Sequence, residues 1–355
     1  MGQYAISCNS TSNAYLMSEL CLDEPDSTSI ECVSTSLEVS IVRYIEGTWL
    51  LIVAIIGAFG NFVTFLSIVY AARKRVHGLD HKFREITIFI LHLCFVDFCW
   101  CIFCALPSSC ELLIMKWPFG KQACALKVMA DQIILLTESL SVASISVSRS
   151  FDLKNANLWR KCTHNNILLL VMLLLPLFTS LPALTPYFVT SMGIAIGWNC
   201  MTGKCDVIEA CNVSECDGVI PAGGEFIGWY DISFVSVSLS VIIISYVLLR
   251  KEVISSANYL KKEGHVTIEL HRRELKMTRT ILFLISAHGL CNIPMLINQA
   301  LNFYEVKINF YLWHLLMIIY VTQPALNFFI YAGSNEQYQL AYIDFWRYIT
   351  FQARK

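Results

Sequence analysis

Apolar residues come in long blocks along this chain, separated by short polar loops. A helix that crosses a bilayer needs about 20 mostly apolar residues. Seven blocks reach that length: Thr48–Ala71, Ile86–Leu106, Ala123–Val147, Ile167–Val189, Phe226–Leu249, Ile281–Leu301 and Ile308–Tyr331. The first, second and fourth are the cleanest. Lys127, Asp131 and Glu138 interrupt the third. The fifth carries Asp231 and a serine at every second position from Ser236 to Ser240. That alternation would suit a strand, but a lone strand cannot satisfy its backbone in lipid, so the fifth block also reads as a helix. The pattern predicts an all-α membrane protein, a bundle of seven transmembrane helices, with six as the fallback. After Tyr331 the spacing changes. Tyr338, Tyr342, Phe345, Trp346 and Ile349 fall on one helical face, with Glu336, Asp344 and Arg347 elsewhere. This predicts a short amphipathic helix lying in the membrane interface. The chain divides into an amino-terminal segment (1–43), a seven-helix domain (44–332) and a carboxyl-terminal interfacial helix and tail (333–355).

Composition agrees. Of 355 residues, 56% are hydrophobic and only 15% charged, with a mean hydropathy of +0.56. A soluble domain carries about 25% charged residues. The net charge of −1 removes the electrostatic case for nucleic acid. Basic residues set the orientation. Arg73, Lys74, Arg75, Lys82 and Arg84 follow the first block, and Arg149, Lys154, Arg160 and Lys161 follow the third. Arg250, Lys251, Lys261, Lys262, Arg272, Arg273, Lys276 and Arg279 follow the fifth. These loops are expected in the cytoplasm. The amino-terminal segment, rich in Asp and Glu before Arg43, is expected outside. The sequons at Asn9 and Asn212 fall on that outer side and are candidate glycosylation sites. Met1–Asn13 has neither a basic start nor an apolar core, so no cleavable leader is expected and the first helix acts as signal anchor. Ile6 stands where a myristoylation signal needs Ser or Thr. No internal repeat is visible, which weighs against inverted-repeat transporters.

Eight cysteines fall outside: Cys8, Cys21, Cys32, Cys124, Cys200, Cys205, Cys211 and Cys216. Extracellular cysteines oxidise. The long loop 190–225 is expected to be stapled to the third helix through Cys124, with the partner open among 105 connectivities. Cys94, Cys99, Cys101, Cys104 and Cys291 lie in the membrane without a metal-binding spacing and read as small hydrophobes.

Ionisable residues inside membrane helices are costly and mark function. Asp97, Lys127, Asp131, Glu138 and Asp231 are the candidates. Asp131, Glu138 and Arg149 share roughly one face of the third helix, and Gln323, Asn327 and Tyr331 share one face of the last. Together they predict a polar seam through an apolar bundle.

These positions carry a resemblance. Gly60-Asn61, Leu93 with Asp97, the run Trp117-x-Phe119-Gly120…Cys124, Ser148-Arg149-Ser150, Tyr246, Cys291-Asn292-Ile293-Pro294 and Asn327-Phe328-Phe329-Ile330-Tyr331 occur in order, one set per helix or lead-in. The chain resembles a divergent rhodopsin-like (class A) G-protein-coupled receptor over residues 44 to 345. The segment 197–208 is similar to the second outer loop of invertebrate orphan receptors of the moody and trapped-in-endoderm type, and that likeness makes Cys205 the partner of Cys124. The departures are Ser148 for the acid beside Arg149, Asn292 for the tryptophan of the sixth helix, and Phe328 for the proline of the seventh. Met172 and Ser238 also replace a usual tryptophan and proline.

The resemblance implies an extracellular ligand, a heterotrimeric G protein and a lipid bilayer as partners, no nucleic acid and no enzymatic activity. It places Arg149, Tyr246 and Tyr331 at the G-protein end and makes Glu274, twenty residues before Pro294, the resting partner of Arg149. It brings Asn61, Asp97, Glu138 and Asn327 together in mid-bundle, where the family often holds sodium. Two carboxylates in one small site need a cation or a shared proton, so Asp97 and Glu138 are read as an allosteric Na⁺ site. No catalytic cofactor is expected. Asp131 stands where amine receptors bind an ammonium, but Met295, Leu296 and Val321 replace their usual partners, and Lys127 is an alternative internal partner. Asp131, Gln132, Tyr230, Asp231, Asn292, Gln299 and Trp313 are expected to line an acidic cavity for a cationic small molecule or basic peptide. Val321 excludes an opsin, because retinal needs a lysine there. The rival readings are a decoy that binds without signalling, and an ion or proton channel or transporter built on the seam.

Overall fold

The computed structural model describes residues 37–74, 81–163, 167–188, 194–199, 204–209, 222–260, 268–303, 306 and 308–352. The sequons at Asn9 and Asn212, and Cys8, Cys21, Cys32, Cys200, Cys211 and Cys216, lie outside them.

Helix α1 (Leu37–Lys74) begins well before the apolar block that marks it, and α2 runs over His81–Trp100. A π turn (Cys101–Ala105) leads into α3 (Leu106–Ile114), where Pro107 occupies a first-turn position that needs no N–H partner. The second span therefore continues to Ile114 instead of stopping at Leu106. Helix α4 (Gly120–Thr163) is the third span and has 44 residues. The fourth is α5 (Ile167–Ser180), a 3₁₀ turn (Leu181–Leu184) and α6 (Thr185–Phe188). Next come strands β1 (Ile194–Asn199) and β2 (Lys204–Glu209), then α7 (Ala222–Leu260) and α8 (Ile268–Phe303). The last span is split into α9 (Phe310–Val321) and α10 (Gln323–Ser334), followed by α11 (Glu336–Gln352). Pro324 causes the split: it cannot donate to the preceding turn, so the helix restarts around it. The alternating serines of α7 are helical, as the bilayer argument requires.

Among the described residues, six helices are long and apolar enough to cross a membrane. The fourth block, one of the cleanest in sequence, forms the 14-residue helix α5, followed by a 3₁₀ turn that holds Pro182 in its first positions. The spans form one bundle. A large apolar core joins α2, α4, α7 and α8, with Leu93, Leu136, Ile242 and Ile281 at its centre. A second core joins α1, the π turn and α10. Two glycines of α1 make that contact close. A Cβ on Gly57 would sit 2.6 Å from Cys101 Sγ, and one on Gly60 would sit 2.5 Å from Phe328 Cγ. Phe328, in place of proline, thus packs on the glycine of the first span.

Outside the helices the described residues contain one antiparallel hairpin, β1–β2, with Trp198 paired to Cys205. The Cys124–Cys205 disulfide ties it to the start of α4, with a Cα–Cα distance of 5.5 Å. At the opposite end α11 turns back against α1. Tyr70 stacks near Tyr348 (4.8 Å) and Phe345 (5.9 Å), and Thr64 Oγ1 hydrogen-bonds Tyr342 Oη at 2.8 Å. Burial there pushes the Tyr338 and Tyr342 phenols well above the ordinary tyrosine value. Trp346, Ile349 and Phe351 stay exposed, an apolar edge suited to lipid headgroups and acyl chains.

Candidate functional site

Three polar layers run along the bundle axis. The first is a cavity beneath the hairpin, with an accessible volume of about 460 Å³. Asp131, Gln132, Asp231, Asn292, Gln299 and Trp313 line it, as expected from sequence. Tyr230 does not. Its ring stacks between Phe226 and Phe234, and its hydroxyl donates to the Thr179 carbonyl, bracing α7 against the fourth span. One residue's shift along the helix separates it from Asp231 and turns it through about 100°.

The acids of the cavity are engaged unequally. Asp131 Oδ1 accepts from Trp100 Nε1 at 3.1 Å, and its Oδ2 lies 3.5 Å from Lys127 Nζ. Lys127 is thus an internal partner of Asp131. It also donates to Glu111 Oε1 (3.3 Å) and to the Cys205 carbonyl (3.2 Å). Glu111 Oε2 in turn accepts from the Cys205 backbone N–H at 2.8 Å. One buried ion pair therefore holds both polar groups of the residue that the disulfide already anchors. Asp231, only 7% exposed, accepts from Gln132 Nε2 on its Oδ1.

The second layer is in mid-bundle. Asn292, on the cavity floor, donates to Gln323 Oε1 at 2.8 Å and to the His288 carbonyl at 2.9 Å. Gln323 then donates through its Nε2 to Glu138 Oε1. The chain Asn292–Gln323–Glu138 links α8, α10 and α4. Beside it, Asn327 Nδ2 donates to Asp97 Oδ2 at 2.7 Å, and Asn61 Nδ2 donates to the Gly57 and Pro324 carbonyls at 2.9 Å each. Gln323 and Asn327 are one turn apart on the same face of α10, so their partners Glu138 and Asp97 are held at successive levels of that face. Asn61, Asp97, Glu138 and Asn327 are therefore brought together, all buried. Asp97 Oδ1, Asn61 Oδ1 and the hydroxyl of Ser139 are buried without a hydrogen-bond partner among the described residues. No three His, Cys, Asp or Glu side chains converge there as a metal-binding group among the described residues. A cation would draw its further oxygens from Asn and Ser.

The third layer is at the far end. Arg149 is 1% exposed and donates from Nε and Nη2 to Thr278 Oγ1, at 3.0 and 2.9 Å. Thr278 is one helical turn beyond Glu274, whose side chain lies outside the described residues. Tyr331 is fully buried, its ring 5.6 Å from Tyr338, and Tyr246 packs half-buried on the large core.

Sequence reasoning missed several buried groups. Glu46 of α1 and His314 of α9 are hydrogen-bonded partners, 0% and 2% exposed. Arg43, Glu111 and His288 are also buried. Glu46 and Arg43 precede the apolar block at Thr48 and read as flanking charge, whereas the helix starts at Leu37. Charge counting also treats histidine as neutral, so His288 and His314 gave no signal.

A membrane bundle with a polar cavity at one end, a buried arginine at the other and a hydrogen-bonded seam between them has the build of a seven-helix receptor. The profile of the family described as 7 transmembrane receptor (rhodopsin family) matches residues 60–331, and the chain belongs to that family. It is a multi-pass membrane protein of a receptor class that is not enzymatic. The fold is similar to that of squid rhodopsin, with a TM-score of 0.67 and 17% identity over 87% of each chain. A putative neuropeptide Y receptor 11 of Caenorhabditis elegans is 29% identical over 99 residues, which cover 28% of this chain and 23% of that relative's length.

Proposed function

We propose that this protein is a plasma-membrane receptor that couples an extracellular ligand to a heterotrimeric G protein. The amino terminus and the hairpin lie outside, and Arg149 faces the cytoplasm, as the basic loops require. The observation that carries this reading is the Asn292–Gln323–Glu138 chain, which begins on the cavity floor and ends beside Asp97. A ligand that bound the two arrangements of this chain unequally would shift the population of receptor states.

The ligand is a cationic small molecule or a basic peptide. Asp131 and Asp231 supply the negative wall, and the relative bearing a neuropeptide receptor's name supports the peptide form. The donor set of the mid-bundle suits Na⁺: Asp97 and Glu138 would hold it, with Asn61 and Ser139 oxygens available nearby. Bound there, sodium would neutralise the paired carboxyls and favour the resting state. Glu274 and Thr278 together would restrain Arg149 at the cytoplasmic end.

The test is basal activation of a panel of G proteins in cells expressing wild type, Glu274→Ala and Glu274→Ala/Arg149→Ala. The single change should raise one G-protein signal, and the double change should abolish it. Silence of all three constructs at the cell surface across the panel would overturn the signalling role and turn attention to a decoy or to ion flux.

A further inference from the structure

Among the described residues the cavity holds two acids of different elements and no cation that bridges them. Asp131 comes from α4 and Asp231 from α7. They are set close together by Gln132: its backbone is next to Asp131, and its side chain reaches Asp231. Lys127, the basic residue of the lining, is shared between Glu111, the Cys205 carbonyl and Asp131. It does not contact Asp231. Among the described residues Gln132 is the donor that Asp231 Oδ1 meets, and Asp231, 7% exposed, lines the cavity. Asp131, by contrast, is 39% exposed toward the cavity and keeps room for a further donor. A buried carboxylate without a full set of donors is costly, and a ligand ammonium or guanidinium supplies the missing charge-assisted bonds.

Building on the proposed receptor function, we infer that the ligand presents two cationic groups on one end, one for Asp131 and one for Asp231. Trp313, Leu135 and Leu296 line the same cavity and offer apolar surface to a short linker between the two groups. A single ammonium satisfies one acid and leaves the other as it was. Two sources carry this chemistry: a small diamine, and a peptide end with two adjacent basic groups. A cavity of about 460 Å³ accommodates only such an end, not a whole peptide.

The full-length receptor in lipid nanodiscs would be titrated, by calorimetry and by ligand-induced thermal stabilisation, with diaminoalkanes of increasing chain length and with the matching monoamines. Parallel titrations would use acetyl-Arg-Arg-amide and acetyl-Arg-Ala-amide. The dication of at least one pair should bind about tenfold or more tighter than its monocation, as expected for one further charge-assisted contact. Which pair shows it identifies the source. Asp131→Asn and Asp231→Asn should each bring that ratio near one, and Asp231→Glu, which keeps the charge, should retain the preference. Equal affinity for mono- and dications would overturn the inference, as would binding of neither. Both readouts are made without any G protein, so they stand apart from the basal-signalling test of the receptor function.

Discussion

Arg149 and Thr278 are hydrogen-bonded twice across the bundle, Nε and Nη2 of the guanidinium both meeting one hydroxyl oxygen. The two residues are 129 positions apart and nearly inaccessible. The contact ties α4 to α8 at the end of the bundle opposite the cavity. Ser148, which replaces the usual acid beside the arginine, is buried and its hydroxyl has no hydrogen-bond partner among the described residues. A hydrogen bond to a charged group contributes about 1.5–3 kcal/mol. Thr278→Val keeps the shape and removes the acceptor. It is expected to raise basal G-protein activation about tenfold or more, read by nucleotide exchange in membranes. An unchanged basal rate at equal surface expression would show that this contact is not a restraint.

The same helix α8 is held a second time, by the end of α10 and the start of α11. Lys276 Nζ lies 2.7 Å from Glu336 Oε2, and Ser334 Oγ is 2.8 Å from Thr280 Oγ1. The ion pair is largely exposed, and such pairs contribute about 0.2–1 kcal/mol. Glu336→Lys should therefore raise basal signalling up to roughly fivefold, and Lys276→Glu in the same chain should restore it. The decisive quantity is the double-mutant coupling: additive effects would mean the pair does not act as a unit.

Glu138 depends on Gln323 for its hydrogen bond. Gln323→Leu leaves Glu138 Oε1 and Asn292 Nδ2 without that partner in a buried setting. A group stranded in this way costs about 1–3 kcal/mol, so the purified receptor should melt several degrees lower. Replacing choline with sodium at constant ionic strength should raise the melting temperature of the wild type and leave Asp97→Asn unmoved. A wild type indifferent to sodium would remove the cation from the mid-bundle.

Glu46 and His314 form a buried pair between α1 and α9. Stranding one member of a buried hydrogen-bonded pair costs about 1–3 kcal/mol, whereas replacing both with apolar residues of similar shape is often neutral. His314→Leu is expected to lose most surface expression, and Glu46→Leu/His314→Leu to regain it, by flow cytometry on intact cells. A double variant as poorly expressed as the single one would mean that the pair has another task.

Much of this architecture was legible because the bilayer imposes a length. Blocks of about 20 apolar residues, basic loops and the aromatic face of the tail follow from hydrocarbon thickness and from where charge tolerates lipid. Asp97 with Asn327 was legible too, because each stands in a short motif at a fixed place on its own helix. The link from Asn292 to Glu138 was only half visible. Gln323 was on the polar face of the last span, yet nothing in its spacing tells which helix that face meets.

Linear order alone thus determined that the chain is a bundle of membrane helices and which faces of them are polar, since both depend on neighbours within a few residues. Partnerships between helices were decided by packing. Glu46 finds His314 across 268 positions, and Lys127 finds the backbone of Cys205 across 78. Tyr230 leaves the cavity for Thr179 because one step along a helix rotates a side chain by about 100°, and the tilt of α7 against the fourth span decides which wall it meets. Tilt and rotation of a membrane helix are set by the neighbours it packs on, which no single segment encodes.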